Sequence, residues 1–546
     1  MGLDGRPTRW LAWLERLASR PLGALVLFLG ALAVYAARAV AWPLQSGRDL
    51  DEYLYAYLQL FDADPVLPWS LLFRTPVTPV VAGGALDLFG GALAEPLMAL
   101  LFAGSIVAWS AAARYFGARV ALAVAVSLLV YPAYGLMFHE LSSEPLFAAS
   151  FALWALLVTR AASEPSASRF ALAGLGVALL ALVRPGNAVL LAFALFPLAL
   201  GGRVRQRLFW AVAFAAAATI PLVGWSLLNG VRYGEYAVAR GGNAVLPFYR
   251  AFITDRIVSP ENGDASRRLA DAVERDLLTR EPYRSYGVTL AEVFGSGSFR
   301  IHEDLYLLSD TVFGWDTDYS VLRDAGLEAV RAHPRAYASG VGKTVWLQLS
   351  ESFFRDLPAA DSNSGARRPQ TVAVGGSQLP RPTEGEPIPG GQVVWISRPD
   401  NGIRQLWTSP TRFTFSFADP RDRPRFEQIL ERRDELFAAL PDRSGDATLA
   451  LRLNQLSRWF PRPILWIALG LIGIALRRPR HSGTLVAIAL AAILVVSLNA
   501  LGLFADRHFI LPVAPAFVLL GLGGVLGART QTERTPSSGG RGERRR

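Results

Sequence analysis

GRDLDEYLYAY, residues 47 to 57, follows directly on the first long apolar run of the chain. It sets three carboxylates, Asp49, Asp51 and Glu52, beside Arg48 and puts Tyr53, Tyr55 and Tyr57 behind them. Upstream, the run from Pro21 to Leu44 carries one charge, Arg38, and exceeds the ~20 apolar residues that a bilayer crossing needs. Ionisable groups at the end of such a span cost far less than at mid-bilayer and stay at head-group depth. The stretch therefore points to a membrane fold and, at its surface, to chemistry. Asp49 and Glu52 have the spacing of a capping box, which predicts a helix running to about Phe61. Asp51 then lies in the first turn, where the helix dipole favours an ionised carboxylate. A divalent cation held between Asp49 and Asp51 is a second reading, since carboxylates two residues apart can face one ion.

The whole chain agrees with a membrane fold. Of 546 residues, 52% are hydrophobic and 18% charged, so several stretches are too long and too apolar for a soluble core. The absence of cysteine excludes thiol nucleophiles, thiolate metal sites and disulfides. The net charge of +10 is carried by arginine, with Lys343 the single lysine, and falls mostly in short loops and tails. That distribution is a topology signal and implies no nucleic acid.

Apolar segments recur at 92–113, 118–137, 145–160, 170–183, 186–201 and 208–230, then at 463–476, 483–503 and 509–528, giving about ten spans with the first. Arg114 and Arg119, Arg160 and Arg169, and Arg203, Arg205 and Arg207 fall in alternate loops, as do Arg477, Arg478 and Arg480. The positive-inside rule puts these loops and both termini in the cytoplasm. The expected organisation is a cytoplasmic N-terminus over 1–20 and a seven-span module over 21–231 with an external loop at 46–91. An extracytoplasmic α+β domain over 232–459 follows, then three spans over 460–528 and a disordered cytoplasmic tail over 529–546. Within the external domain, 264–280, 320–356 and 421–440 have helical character and 393–419 alternates like strands. Residues 358–392, rich in Pro, Gly, Ser and Arg, read as a mobile loop.

Several motifs lead elsewhere and fail. GVGKT at 340–344 lacks the first glycine of a phosphate-binding loop, Tyr337 standing in its place, and reads as helix. GLGGVLG at 521–527 reads as a close-packing face within the last span. The five histidines show no ligand spacing, so no metal site is expected from them.

Polar residues at the outer ends of the spans are more informative. HELSSEPLF at 139–147 presents His139, Glu140 and Glu144; Arg184 follows in LVRPGN; FRTP presents Arg74; and DRHFILPVAP at 506–515 presents Asp506, Arg507 and His508. Each alone reads equally as a solvated span end or a salt bridge. All lie on the side of the acidic cluster, and together they set proton-accepting acids opposite arginines, whose planar fork suits a phosphate.

The pattern resembles a family. Asp51, Glu52 and Tyr55 after the first span, SEPLF opening the fourth, RPG at 184–186 and DRHFILPVAP entering the last span are similar to the polyprenyl-phosphate-dependent glycosyltransferases of the GT-C superfold. The branch they look closest to contains the protein O-mannosyltransferases and the lipid A aminoarabinose transferases. The resemblance covers the seven leading spans and the last three, and leaves out 232–459. It implies a polytopic α-helical membrane protein with a GT-C-like bundle, and an inverting glycosyl transfer on the extracytoplasmic face from a polyprenyl-phosphate sugar to a glycan, lipid or protein acceptor. Asp51 would then be the general base, with Asp49 and Glu52 as alternatives, and Arg74, Arg184 and Arg507 would hold the donor phosphate. Tyr55, His139, Glu140, Glu144 and His508 would line the substrates, with no cofactor and no metal. A flippase for a lipid-linked sugar is the alternative. It would need charges lining helix interiors through the bilayer, where these spans are nearly free of them.

Overall fold

The computed structural model describes residues 21–528 except 63, 281–282, 285–286, 315–316, 352–372, 375–376, 379–392, 399–402, 408–412, 418, 442–451 and 453. The N-terminus 1–20, the tail 529–546 and most of the loop expected at 358–392 lie outside the described residues.

Long apolar runs become helices, because a chain in hydrocarbon must satisfy every backbone group internally. Among the described residues, seven helices are long and apolar enough to cross a membrane: Leu22–Ala41, Ala94–Arg114, Ser143–Ser163, Val204–Tyr233, Leu456–Arg477, Ser482–Gly502 and Arg507–Leu526. Three further segments expected as spans are shorter apolar helices, Ala118–Leu129, Ala167–Val183 and Pro185–Ala199. The first of these stops early because Pro132 opens a separate short helix, Pro132–Met137. The protein is thus a multi-pass helical membrane protein.

One continuous apolar core joins the leading helices to the last three; Trp109, Phe151 and Trp154 from the first half share it with Val496, Ile510 and Phe517 from the second. The glycine-rich face of the last helix packs as its composition requires. A Cβ on Gly524 would lie 2.4 Å from the carbonyl of Gly470, and one on Gly473 would meet the backbone of Gly524 at 2.5 Å. Only bare backbone permits this approach of Pro463–Arg477 to Ala514–Leu526.

The region after Val204–Tyr233 has a helical core of its own, built around Phe248, Phe252, Leu269, Ile301, Leu305 and Leu322. A three-stranded antiparallel sheet, Val393–Arg398, Ile403–Trp407 and Phe413–Ser416, follows, and then the charged helix Asp422–Ala438. Both elements were legible in the sequence, and GVGKT lies within helix Pro334–Ser350. Arg250 secures this helical part to the bundle: it pairs with Asp255 at 2.9 Å and donates to the Ala500 and Leu503 carbonyls at the end of Ser482–Gly502.

Two devices position the loop that follows the first span. Strand Gln45–Ser46 pairs in parallel with Glu140–Leu141, tying the end of the first span to the start of Ser143–Ser163. Gly47 is required there, because a Cβ would stand 2.6 Å from that of Ser142. On the far side, helix Asp422–Ala438 lies on Leu50–Gln59 and Val77–Asp87: Arg433 donates to the Tyr55 hydroxyl, Arg432 to Asp87, and Arg425 reaches Asp62 at 3.3 Å.

Candidate active site

The stretch 47–57 forms helix Leu50–Gln59, shorter by two residues than the expected end at Phe61, and Asp51 and Glu52 occupy its first turn. The expected capping box does not form. Asp49 holds the N-cap position with a left-handed backbone, φ 60° and ψ 18°, and its side chain makes no capping hydrogen bond. Both carboxylates of the presumed box turn instead to Arg74. The guanidinium Nε donates to Glu52 at 2.9 Å, Nη2 donates to the same carboxylate, and Nη2 stands 3.2 Å from Asp49. The physical reason is charge: a charge-assisted, two-pronged bond to a guanidinium outweighs a carboxylate's bond to one backbone N–H. Nη1 of Arg74 also donates to the Tyr53 hydroxyl at 3.4 Å, and the guanidinium lies 4.9 Å from that ring.

Burial pushes the Glu52 carboxyl up, Arg74 opposes this, and Asp49 and Asp51 add to the rise. Arg74, with Glu52, Tyr53 and Asp49 around it, is held well above the usual guanidinium range despite its burial. The cation is therefore permanent, and Glu52 serves it as counter-ion.

A second cluster forms where three distant segments meet. Glu144, 2% exposed, accepts from Nη2 of Arg184 at 3.1 Å and lies 3.7 Å from Nδ1 of His508. Arg184 spends its other terminal nitrogen on the His508 carbonyl at 3.1 Å. Asp506 caps the last helix by accepting from the His508 backbone N–H at 3.0 Å, and Nη2 of Arg507 comes within 3.4 Å of His508 Nε2. The Phe509 ring joins the two clusters: Arg184 lies 5.6 Å from its centroid, and Arg48, which contacts Asp49 at 3.5 Å, lies 5.8 Å from it.

The structure thus brings together Asp49, Asp51, Glu52 and Arg74 in one group and Glu144, Arg184, Arg507 and His508 in an adjoining one. The other three expected residues make these contacts. Tyr55 faces helix Asp422–Ala438, its ring 5.3 Å from the Arg433 guanidinium. Glu140 lies in the short strand paired with Gln45. His139 is fully buried, stacked at 4.0 Å on Tyr35, with neither ring nitrogen hydrogen-bonded and the nearest carboxylate, Glu95, at 3.9 Å. Burial, reinforced by Arg38, pushes it down to about 3, so it is a neutral aromatic there.

Sequence reasoning passed over Arg48, Tyr53 and Phe509. Arg48 and Tyr53 were visible as part of the charged stretch, but nothing in the sequence singled out Phe509 from its apolar neighbours. Among the described residues, no group of three or more histidine or acidic side chains is arranged to hold a metal ion.

Comparison with known proteins gives little at the level of sequence. No family model matches the chain, and no curated protein does. Two solved structures match: ArnT from Cupriavidus metallidurans bound to undecaprenyl phosphate, and the same protein in the apo state. Each is 14% identical to this chain; the matches cover 93% and 92% of it and 78% of the ArnT chain, with TM-scores of 0.31 and 0.32. At so low a TM-score this chain and ArnT superpose only loosely.

Proposed function

We propose that this protein is an integral-membrane inverting glycosyltransferase, moving a hexosyl or pentosyl group from a polyprenyl-phosphate carrier to the hydroxyl of an extracytoplasmic glycan, lipid or protein. One observation carries the reading: two arginine–carboxylate clusters meet around Phe509 at the ends of apolar helices, with Asp51 in the first turn of the adjoining helix. Permanent cations beside greasy helices suit a lipid-linked phosphate, and a carboxylate next to them suits a proton.

In the reaction, the acceptor oxygen attacks the anomeric carbon from the face opposite the phosphate. The new glycosidic bond forms as the bond from that carbon to the phosphate oxygen breaks, and the configuration inverts. Asp51 takes the hydroxyl proton, a contribution of ~10²- to 10⁴-fold for a positioned general base. The leaving group departs as polyprenyl monophosphate, its growing charge met by arginines already in place, which need no reorganisation. Asp49 lies between Arg74 and Arg48, so the cations that face it are guanidinium groups, and the reading is metal-independent.

The test is turnover of a polyprenyl-phosphate sugar by purified variants, with and without chelator. Asp51→Asn should lose at least 10²-fold in turnover while still binding carrier, and chelator should leave the parent enzyme active. Wild-type turnover by Asp51→Asn moves the base to Asp49 or Glu52; parallel loss in Asp49→Asn and Asp51→Asn with chelator inhibition restores the cation. The site is assigned to the extracytoplasmic face. Reporter fusions at Gly202 and Arg478 should therefore read cytoplasmic and one at Gly47 external, and a cytoplasmic signal at Gly47 would refute the orientation.

A further inference from the structure

The guanidinium groups of the two clusters are not equally hydrogen-bonded. Arg74 has Nε and Nη2 on Glu52, Nη2 near Asp49 as well, and Nη1 on Tyr53. Arg184 has one terminal nitrogen on Glu144 and the other on a carbonyl. Arg48 differs. Its nearest carboxylate is Asp49 at 3.5 Å, reached through Nε, which is outside hydrogen-bond geometry, and among the described residues its terminal nitrogens have no hydrogen-bond partner. Its side chain is 37% exposed, and its guanidinium lies 5.8 Å from the centre of the Phe509 ring that Arg184 also borders. Arg507 is in a similar state, with His508 Nε2 at 3.4 Å and, among the described residues, no carboxylate within ion-pairing distance.

An incoming phosphate discriminates between these states. A guanidinium already forked on a carboxylate presents that anion's repulsion together with its own charge, whereas an open fork offers two parallel N–H donors. Arg48 is also the best placed of the four in the chain: the parallel strand pair and the obligatory Gly47 fix the backbone just before it, and Asp49 holds the left-handed turn just after it.

Resting on the glycosyltransferase reading, we propose that Arg48 is a carrier-phosphate-binding residue, taking the monophosphate of the lipid through its open fork together with Arg507, while Glu52 and Glu144 keep Arg74 and Arg184 as the fixed walls of the same site.

The experiment uses the full-length protein in nanodiscs, with a polyprenyl monophosphate and the corresponding uncharged polyprenol as probes. Arg48→Gln should weaken monophosphate binding roughly 10- to 100-fold, the effect of one charge-assisted bidentate contact, and leave polyprenol binding unchanged. The exposed Arg267→Gln is the charge control and should bind as wild type. A second measurement needs no variant: in the wild-type protein, monophosphate should protect Arg48 from phenylglyoxal, read by peptide mass spectrometry, and polyprenol should not. Wild-type affinity in Arg48→Gln, or unprotected Arg48 under saturating monophosphate, overturns the assignment while leaving the transferase reading intact. Failure of the wild-type protein to bind the monophosphate at all refutes the transferase reading itself.

Discussion

Removing Arg184 should expose how much of the site is held by one buried ion pair. Glu144 is 2% exposed, and without Arg184 its remaining polar neighbour among the ion-pairing groups is His508 Nδ1 at 3.7 Å. Breaking a buried pair from one side costs about 3–5 kcal/mol, because the partner charge is left desolvated and unpaired. Arg184 itself is 21% exposed, which gives water a path to the vacated position, so Arg184→Gln is expected at the lower end, about 3 kcal/mol. Glu144→Gln should be milder, since Arg184 keeps its bond to the His508 carbonyl. With both charges gone the double variant should recover part of the loss, giving a coupling of about 1–3 kcal/mol, within the range for residues in contact. Equilibrium unfolding of the detergent-solubilised wild type, both single variants and the double variant measures this cycle. Additivity within about 0.5 kcal/mol would mean that the pair is not a unit in the folded protein and would remove the argument that Glu144 holds Arg184 in place.

Two further outcomes follow from the backbone and from burial. At Asp49 the left-handed backbone, and not a cap, is what a substitution disturbs, so Asp49→Ala should cost about 1–2 kcal/mol more than Asp49→Gly in the same unfolding assay; equal losses would show that the left-handed backbone is not what the substitution disturbs. In the helical region that follows Val204–Tyr233, burial pushes His302 down to about 3, against an ordinary value near 6.5. A folded value below the unfolded one means that its contribution is complete above about pH 6.5 and is lost progressively as pH falls toward 3. The thermal midpoint should therefore drop between pH 7 and pH 5 in the wild type and drop less in His302→Phe, and parallel pH profiles would show that His302 is not the sensitive group.

The membrane fold was written in the sequence because the bilayer's demands are local. A span must be apolar over consecutive residues, so the runs at 94–114, 143–163 and 482–502 could be read one at a time. The glycine face at 521–527 could be read as well, since a helix that must approach another closely has to lack side chains at fixed intervals. Charge placement at span ends was equally visible, and it drew attention to Arg74, Glu144, Arg184 and His508. What each charge touches was decided by the tertiary structure. The local signal at Asp49 and Glu52 favoured a capping box, but Arg74, twenty-two residues beyond Glu52, offered both acids a full opposite charge. Arg184 meets His508 across 324 residues, and Tyr55 meets Arg433 across 378, contacts that no periodicity encodes. Phe509 became the plate between the clusters only when the parallel pairing of Gln45–Ser46 with Glu140–Leu141 carried Arg48 to it. Hydrophobic requirements act along the chain and leave a pattern there; ion pairs act through space, and their partners are fixed only when the helices have packed.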